Sequence, residues 1–259
     1  MKFALKDRIL LLVKQPFWIG PLLIFSVWWL AAVGQLISPK LLPDPVSTLG
    51  VLWTSIADGS IGADFLGTLN RTLAAFAIAA ALGVPVGIVL GSDRRIYRAL
   101  EFAIDFFRST PATAMFPLFL LIFGIGEESK IGVAAFSAWL VIVFNVAYGV
   151  MNARPTRILA ARVMGATKAR IFRDVMFFES LPQTCVGLRL GVSYALVVII
   201  VAEMFIGSAN GMGRRIIDAQ QVFDLRQMYA SIIATGCLGY GLNLAFLTLE
   251  RRFLKWAGK

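Results

Sequence analysis

The chain has 259 residues, 58% hydrophobic and 15% charged, with a mean hydropathy of +0.78; a soluble domain sits nearer half apolar and a quarter charged, and here the excess comes in runs, so composition excludes a soluble globular protein and leaves an integral membrane protein. There is no histidine, and the only cysteines are Cys185 and Cys237, which excludes a disulfide scaffold and a zinc site and removes the usual neutral-pH proton carrier. The net charge of +10 fits lysine and arginine retained on one side of a membrane better than it fits nucleic-acid binding.

A helix needs about 20 residues to cross the roughly 30 Å hydrocarbon core, and six stretches qualify. The first, Phe17–Ile37, follows a basic segment, residues 1–16, and contains Trp28 and Trp29; it reads as an uncleaved anchor rather than a signal peptide. A long connection, Ser38–Asn70, opens with Pro39, Pro43 and Pro45, and Ile56–Leu69 is expected to lie as an interfacial helix. The second span, Leu73–Leu90, carries Pro85, a potential kink, and Gly83, with Gly87 and Gly91 continuing the row. Glycines four apart leave a strip of bare backbone against which another helix packs closely.

The third stretch, Ala103–Ile125, holds Asp105 and Arg108, and Pro111 and Pro117 predict a broken or bent helix. Charges within a span face the bundle interior or a watery path; a structural Asp105–Arg108 pair one turn apart is the competing reading. Gly126–Lys130 has the wrong spacing for a phosphate-binding loop and is placed in an outer connection; no GxxxxGK[ST] motif occurs elsewhere, so the chain is not expected to hydrolyse ATP or to be an enzyme. The fourth span, Ile131–Met151, carries Asn145, a group able to bond across helices. The fifth, Gln183–Ile206, carries Arg189, placed to snorkel, and Glu203; Gly187 and Gly191, with Gly207 and Gly211 beyond, read as further close-packing positions. The sixth is Met228–Leu249. Cys185 and Cys237, each inside an apolar segment, read as packed small hydrophobes.

Between the fourth and fifth spans lies RPTRILAARVMGATKARIFRDVMFFESLP, residues 154–182, with six basic residues against Asp174 and Glu179. Of the 25 basic residues, 17 fall at the termini, in the second-to-third connection and in this loop, and five in the alternate connections; both termini and the loop are therefore expected in the cytoplasm. Ile158–Met164 predicts a helix ended by Gly165, and Thr167 caps a second, Lys168–Phe177, with Ile171, Phe172, Val175 and Met176 on one face; Leu181-Pro182 then opens the next span. The result is either a knob gripped by a soluble partner or a basic amphipathic helix on anionic lipid. The fold class is all-α: a polytopic membrane protein of about six transmembrane helices, with one domain over residues 17–259 after a cytoplasmic segment, 1–16.

Ala160-Ala161-x-x-x-Gly165-Ala166, followed by Ile171 and Leu181-Pro182, resembles the "EAA" loop of permease subunits of bacterial ABC importers. Leu42-Pro43-Asp44-Pro45, Arg108-Ser-Thr-Pro111, Pro117-Leu118, Phe123-Gly-Ile-Gly-Glu127 with Ser129-Lys130, Gly187-Leu-Arg-Leu-Gly191, Ala202-Glu203-Met204 and Gly211-Met-Gly213 resemble the nitrate/sulfonate/taurine-type subgroup in shared order, over about residues 40–255. Two positions depart from the pattern: Leu159 replaces the family glutamate, and Phe177-Phe178 replaces an earlier Leu-Pro pair.

The resemblance implies a type I importer (MetI-like) permease in the bacterial inner membrane, paired with a second, usually identical copy. It implies two ATPase subunits, which bind the ATP and magnesium so that this chain holds no cofactor, and an extracytoplasmic binding protein delivering a small, sulfonate-, nitrate- or taurine-like anion. It makes Leu159, Ala160, Ala161, Gly165, Ala166 and Ile171 the ATPase-docking residues. Asp105, Arg108, Asn145 and Glu203 are the candidate pathway residues. The competing class is a self-contained secondary transporter or channel, although no internal repeat is evident.

Overall fold

The computed structural model describes residues 19–253, and every regular element among them is helical. In chain order these are α1 Ile19–Val33, α2 Pro45–Ala57, α3 Gly62–Ser92, α4 Arg94–Ser109, a 3₁₀ turn Ala112–Met115, α5 Phe116–Phe123 and α6 Glu127–Met151. There follow α7 Pro155–Val163, α8 Lys168–Ile171, a π-helical turn Phe172–Met176, α9 Phe177–Phe205, α10 Met212–Gln221 and α11 Leu225–Phe253. Four rods are long and apolar enough to cross a membrane: α3, α6, the continuous run Lys168–Phe205, and α11. A fifth span forms if α4 and residues 112–123 count together.

Among the described residues, four or five of the six expected spans qualify by length and composition. The first is described from Ile19 onward as α1, whose 15 described residues reach about 22 Å; the chain then turns, with Gln35 at φ 49°. Residues 1–16 lie outside the described residues. The expected interfacial helix Ile56–Leu69 is not formed. Its place is taken by α2, because Asp44-Pro45 is a strong start signal: the Asp44 carboxylate accepts from the Ser47 N–H at 2.9 Å, and Pro45 occupies the first turn. Gly59, at φ +74°, turns the chain into α3, which begins eleven residues before the expected second span and continues unbroken through Pro85.

The third stretch is broken as its prolines predict. α4 and the 112–123 segment meet at 93°, with Thr110 extended at ψ 125° immediately before Pro111. The fifth is not broken where expected: Lys168–Phe205 is one helix, with Pro182 inside it. A mid-helix proline costs about 3 kcal/mol, and here packing outweighs it, since Ser180 and Thr184 on either side are buried.

α6 is the centre of the bundle. Ala134, Ala138, Ile142 and Val146 are fully buried, and both glycine rows lie against this helix. A Cβ on Gly87 would sit 2.6 Å from Val146 Cβ, one on Gly187 2.6 Å from Asn145 Cβ, and one on Gly191 2.8 Å from Ile142. Gly207 and Gly211 both lie in the loop after α9 with positive φ (84° and 145°); a Cβ on Gly207 would meet nothing within 4 Å, so it is a turn position, whereas one on Gly211 would sit 2.5 Å from the Glu203 carboxyl carbon, the close packing expected. Cys185 is half-buried, but Cys237 is exposed on α11 rather than packed.

Candidate functional site

The basic loop folds as a helix, a glycine turn and a second helix. Pro155 starts α7, and Gly165, at φ +79°, ends it. The Ala166 N–H donates to Ala161 O and the Gly165 N–H to Arg162 O, both at 3.0 Å, which is the bonding pattern of a Schellman turn. Thr167 then caps the rod Lys168–Phe205. Arg154 and Arg157 both pair with Glu179, tying α7 to that rod.

The six loop residues singled out by resemblance divide in two. Leu159, Ala160 and Gly165 are exposed and Ala166 is half-buried, whereas Ala161 and Ile171 are buried and hold the knob together. Leu159 is 59% exposed, and Val163 and Met164 are 81% and 80% exposed. These three form an apolar patch at the tip of an otherwise basic surface. Val163 and Met164 went unremarked in the sequence because the family pattern draws the eye to alanines and glycine. A cavity of about 490 Å³ separates α7 from the ends of α3 and α6, with Leu159, Gly91 and Met151 in its wall.

A second feature forms at the break in the third stretch. Arg108 pairs with Asp105 at 3.2 Å, and its guanidinium lies 4.3 Å from the centre of the Phe144 ring. It opens onto a cavity of about 580 Å³ between the break, α6 and α9. Asn145 lies on the same wall, but its amide is engaged: it donates to Val141 O and accepts from Gln183, each at 2.8 Å. Asn145 therefore bonds across α6 and α9. Arg189 reaches Glu250 of α11 at 3.5 Å.

Glu203 does not join this cavity. It lies fully buried at the opposite end of the rod from the basic loop. Its carboxylate accepts from Arg71 at 2.8 Å, from the Thr68 hydroxyl and from the Gly213 N–H at 2.9 Å. Arg71 also donates to Asn210 and pairs with Glu127. Lys130, only 2% exposed, donates to Glu127 at 2.8 Å and to Ser208 at 2.6 Å. Two buried cations and two carboxylates thus stitch α3, α6, α9, the 207–211 loop and the start of α10 together. Nearby, Arg215 of α10 holds Asp64 at 3.1 Å. In the α2–α3 turn, a hydrogen bond from the Ser60 N–H holds the Asp58 carboxyl below its usual range.

Arg71, Glu127 and Lys130 were missed as a cluster. Gly126–Lys130 is not an outer connection: Glu127 opens α6, so Lys130 points into the bundle. The available signal was a set of charges at three span mouths, within motifs already noted around Glu127, Lys130, Glu203 and Gly211. Among the described residues no cluster of potential metal ligands occurs.

Residues 83–257 match the family described as binding-protein-dependent transport system inner membrane component. A probable ABC transporter permease protein of Brucella melitensis is 34% identical over 230 residues, 88% of this chain and 92% of that protein. The taurine transport system permease protein TauC of Escherichia coli is 30% identical, over 91% of this chain and 87% of that protein. The inward-facing MetNI methionine ABC transporter aligns with a TM-score of 0.63 at 23% identity, over 74% of this chain and 95% of that one, and so shares the fold. The chain belongs to the binding-protein-dependent transport system inner membrane component family: it is a multi-pass permease subunit of an ABC transporter, a transport component rather than an enzyme.

Proposed function

We propose that two copies of this chain form the pathway of an ATP-driven importer for a small anionic solute. The basic loop faces the cytoplasm, and one ATPase subunit docks on each copy's loop. ATP and magnesium belong to that partner. A binding protein on the other side delivers the solute. ATP binding draws the two loops together, and the bundles switch between inward and outward openings, a two-state equilibrium biased by contacts at the loop. The observation that carries this reading is the set of exposed apolar side chains Leu159, Val163 and Met164 on a helix that is ion-paired to the next span through Glu179. A basic helix resting on lipid needs no such tie to the next span. The solute class is supported by Arg108 beside a roomy cavity, and by the taurine relative.

The test is Leu159→Asp. Its side chain is exposed, so membrane insertion is expected to be unchanged while the ATPase no longer co-purifies and uptake falls at least tenfold. Normal co-purification and coupled uptake would remove the docking assignment.

A further inference from the structure

The cavity between α7 and the ends of α3 and α6 is not explained by the docking of a soluble partner. Its volume is about 490 Å³, and its wall holds two cations, Arg94 and Arg162, beside the apolar side chains of Met151, Ile158 and Met176. No carboxylate lines it. Among the described residues neither arginine has an ion-pair partner, and both are exposed. The nearby charges are already engaged. Arg154 and Arg157 are held by Glu179, and the Asp93 carboxylate caps α4 by accepting from the Arg95 N–H at 2.8 Å. Arg94 opens the first turn of α4, the positive end of the helix dipole, where a further cation is disfavoured and an anion is favoured. Each guanidinium offers a fork of donors that matches phosphate oxygens. The position of the cavity narrows the kind of phosphate. α3 ends at Ser92 and α6 at Met151, so it opens where two spans leave the hydrocarbon core, at headgroup depth. α4 continues from Arg94 with Ile96, Leu100 and Phe102 exposed, an apolar flank beside the cation. A free phosphate would satisfy the two arginines and leave the apolar wall bare.

We propose that this cavity binds the phosphodiester headgroup of an anionic phospholipid of the cytoplasmic leaflet, held by Arg94 and Arg162. The proposal rests on the cytoplasmic placing of the basic loop given above, and not on the docking of the ATPase. The phosphate bridges Arg94 of α4 and Arg162 of α7, and the glycerol backbone with the first methylenes lies against Met151, Ile158 and Met176. The lipid thereby joins the knob to the bundle on one flank of α7. Val163 and Met164, which do not line the cavity, stay free for a soluble partner. Leu159 borders both. The two expectations for the basic loop, a gripped knob and a surface for anionic lipid, then describe two faces of one helix.

The measurement is native mass spectrometry of the full chain released from nanodiscs of equimolar phosphatidylcholine and phosphatidylglycerol. It reads the ratio of the two lipids retained on the protein. Phosphatidylglycerol is expected to be retained in preference. Arg94→Gln and Arg162→Gln are each expected to lower the ratio about fivefold, and the double variant about 25-fold. Arg170→Gln removes a charge from the same loop but outside the cavity wall, and is expected to leave the ratio unchanged. Inorganic phosphate replacing chloride at equal ionic strength is expected not to displace the lipid. Equal retention of the two lipids, or a ratio unchanged in the double variant, overturns the proposal. So does a loss in Arg170→Gln as large as in the wall variants, which would mark diffuse attraction to the surface. Displacement by inorganic phosphate overturns it in favour of a soluble anion. Reversed thiol labelling of Met164→Cys overturns the cytoplasmic placing instead, so the two failures are separable.

Discussion

Arg71 and Glu203 show how much rests on single side chains here. Arg71 is 8% exposed and Glu203 fully buried, so each depends on the other for compensation: removing one member of a buried pair leaves an uncompensated charge, which costs about 3–5 kcal/mol. Glu203→Ala is expected to destabilise the purified permease by about 3 kcal/mol, the lower end of that range, because Glu127 still faces Arg71. Glu203→Gln, which keeps an acceptor for the Gly213 N–H, is expected to cost less. Thermal unfolding in detergent compares the two, and equal midpoints for wild type and Glu203→Ala would show that the pair is not needed. The pairing itself was not legible in sequence. Arg71 and Glu203 lie 132 positions apart, and no local pattern names a partner at that separation. The costliness of a charge at a span mouth was legible, and that much held. The Asp105–Arg108 pair, by contrast, was readable because its members are one helical turn apart.

At the scale of elements, the legible features are those with local causes. Pro111 forces Thr110 out of the helical region, and the break follows. Gly165 supplies the left-handed turn that ends α7. The glycine rows predicted close packing, and α6 is what they pack against. Pro182 misled for the opposite reason: its local preference is overridden by the buried positions around it. The glycine contacts allow a graded prediction. A valine at Gly87 would press its Cβ within 2.9 Å of Val143 O as well as against Val146. Overpacking of this kind costs about 1–3 kcal/mol, so Gly87→Val is expected to lower the unfolding midpoint clearly. Gly50→Ala, in α2 with nothing within 4 Å, is expected to be neutral or slightly stabilising. Indistinguishable midpoints for the two variants would mean that the α3–α6 contact is looser than the structure has it.

For the whole molecule, charge counting and helix direction point to one arrangement. The basic loop and the Arg71–Glu203 cluster sit at opposite ends of the same bundle. With Cys185 and Cys237 replaced by alanine, Met164→Cys is expected to react with an impermeant thiol reagent only from the cytoplasmic side, and Phe223→Cys only from the opposite side; both residues are more than three-quarters exposed. Exchange of the two sides would reverse the topology, and labelling of both from one side would contradict the opposite-ends arrangement. One further consequence follows from the uninterrupted helix Lys168–Phe205. Its 38 residues measure about 57 Å, longer than the hydrocarbon core is thick. Thr167 caps the helix beside the α7 knob, and Glu203 is bolted into the charged cluster at its far end. Such a rod would act as a pushrod: a shift imposed at the knob has the π-helical turn and the Pro182 position in which to be absorbed before it pulls on Glu203. On the docking proposed above, a load applied at the loop would reach an ion pair at the other end of the bundle.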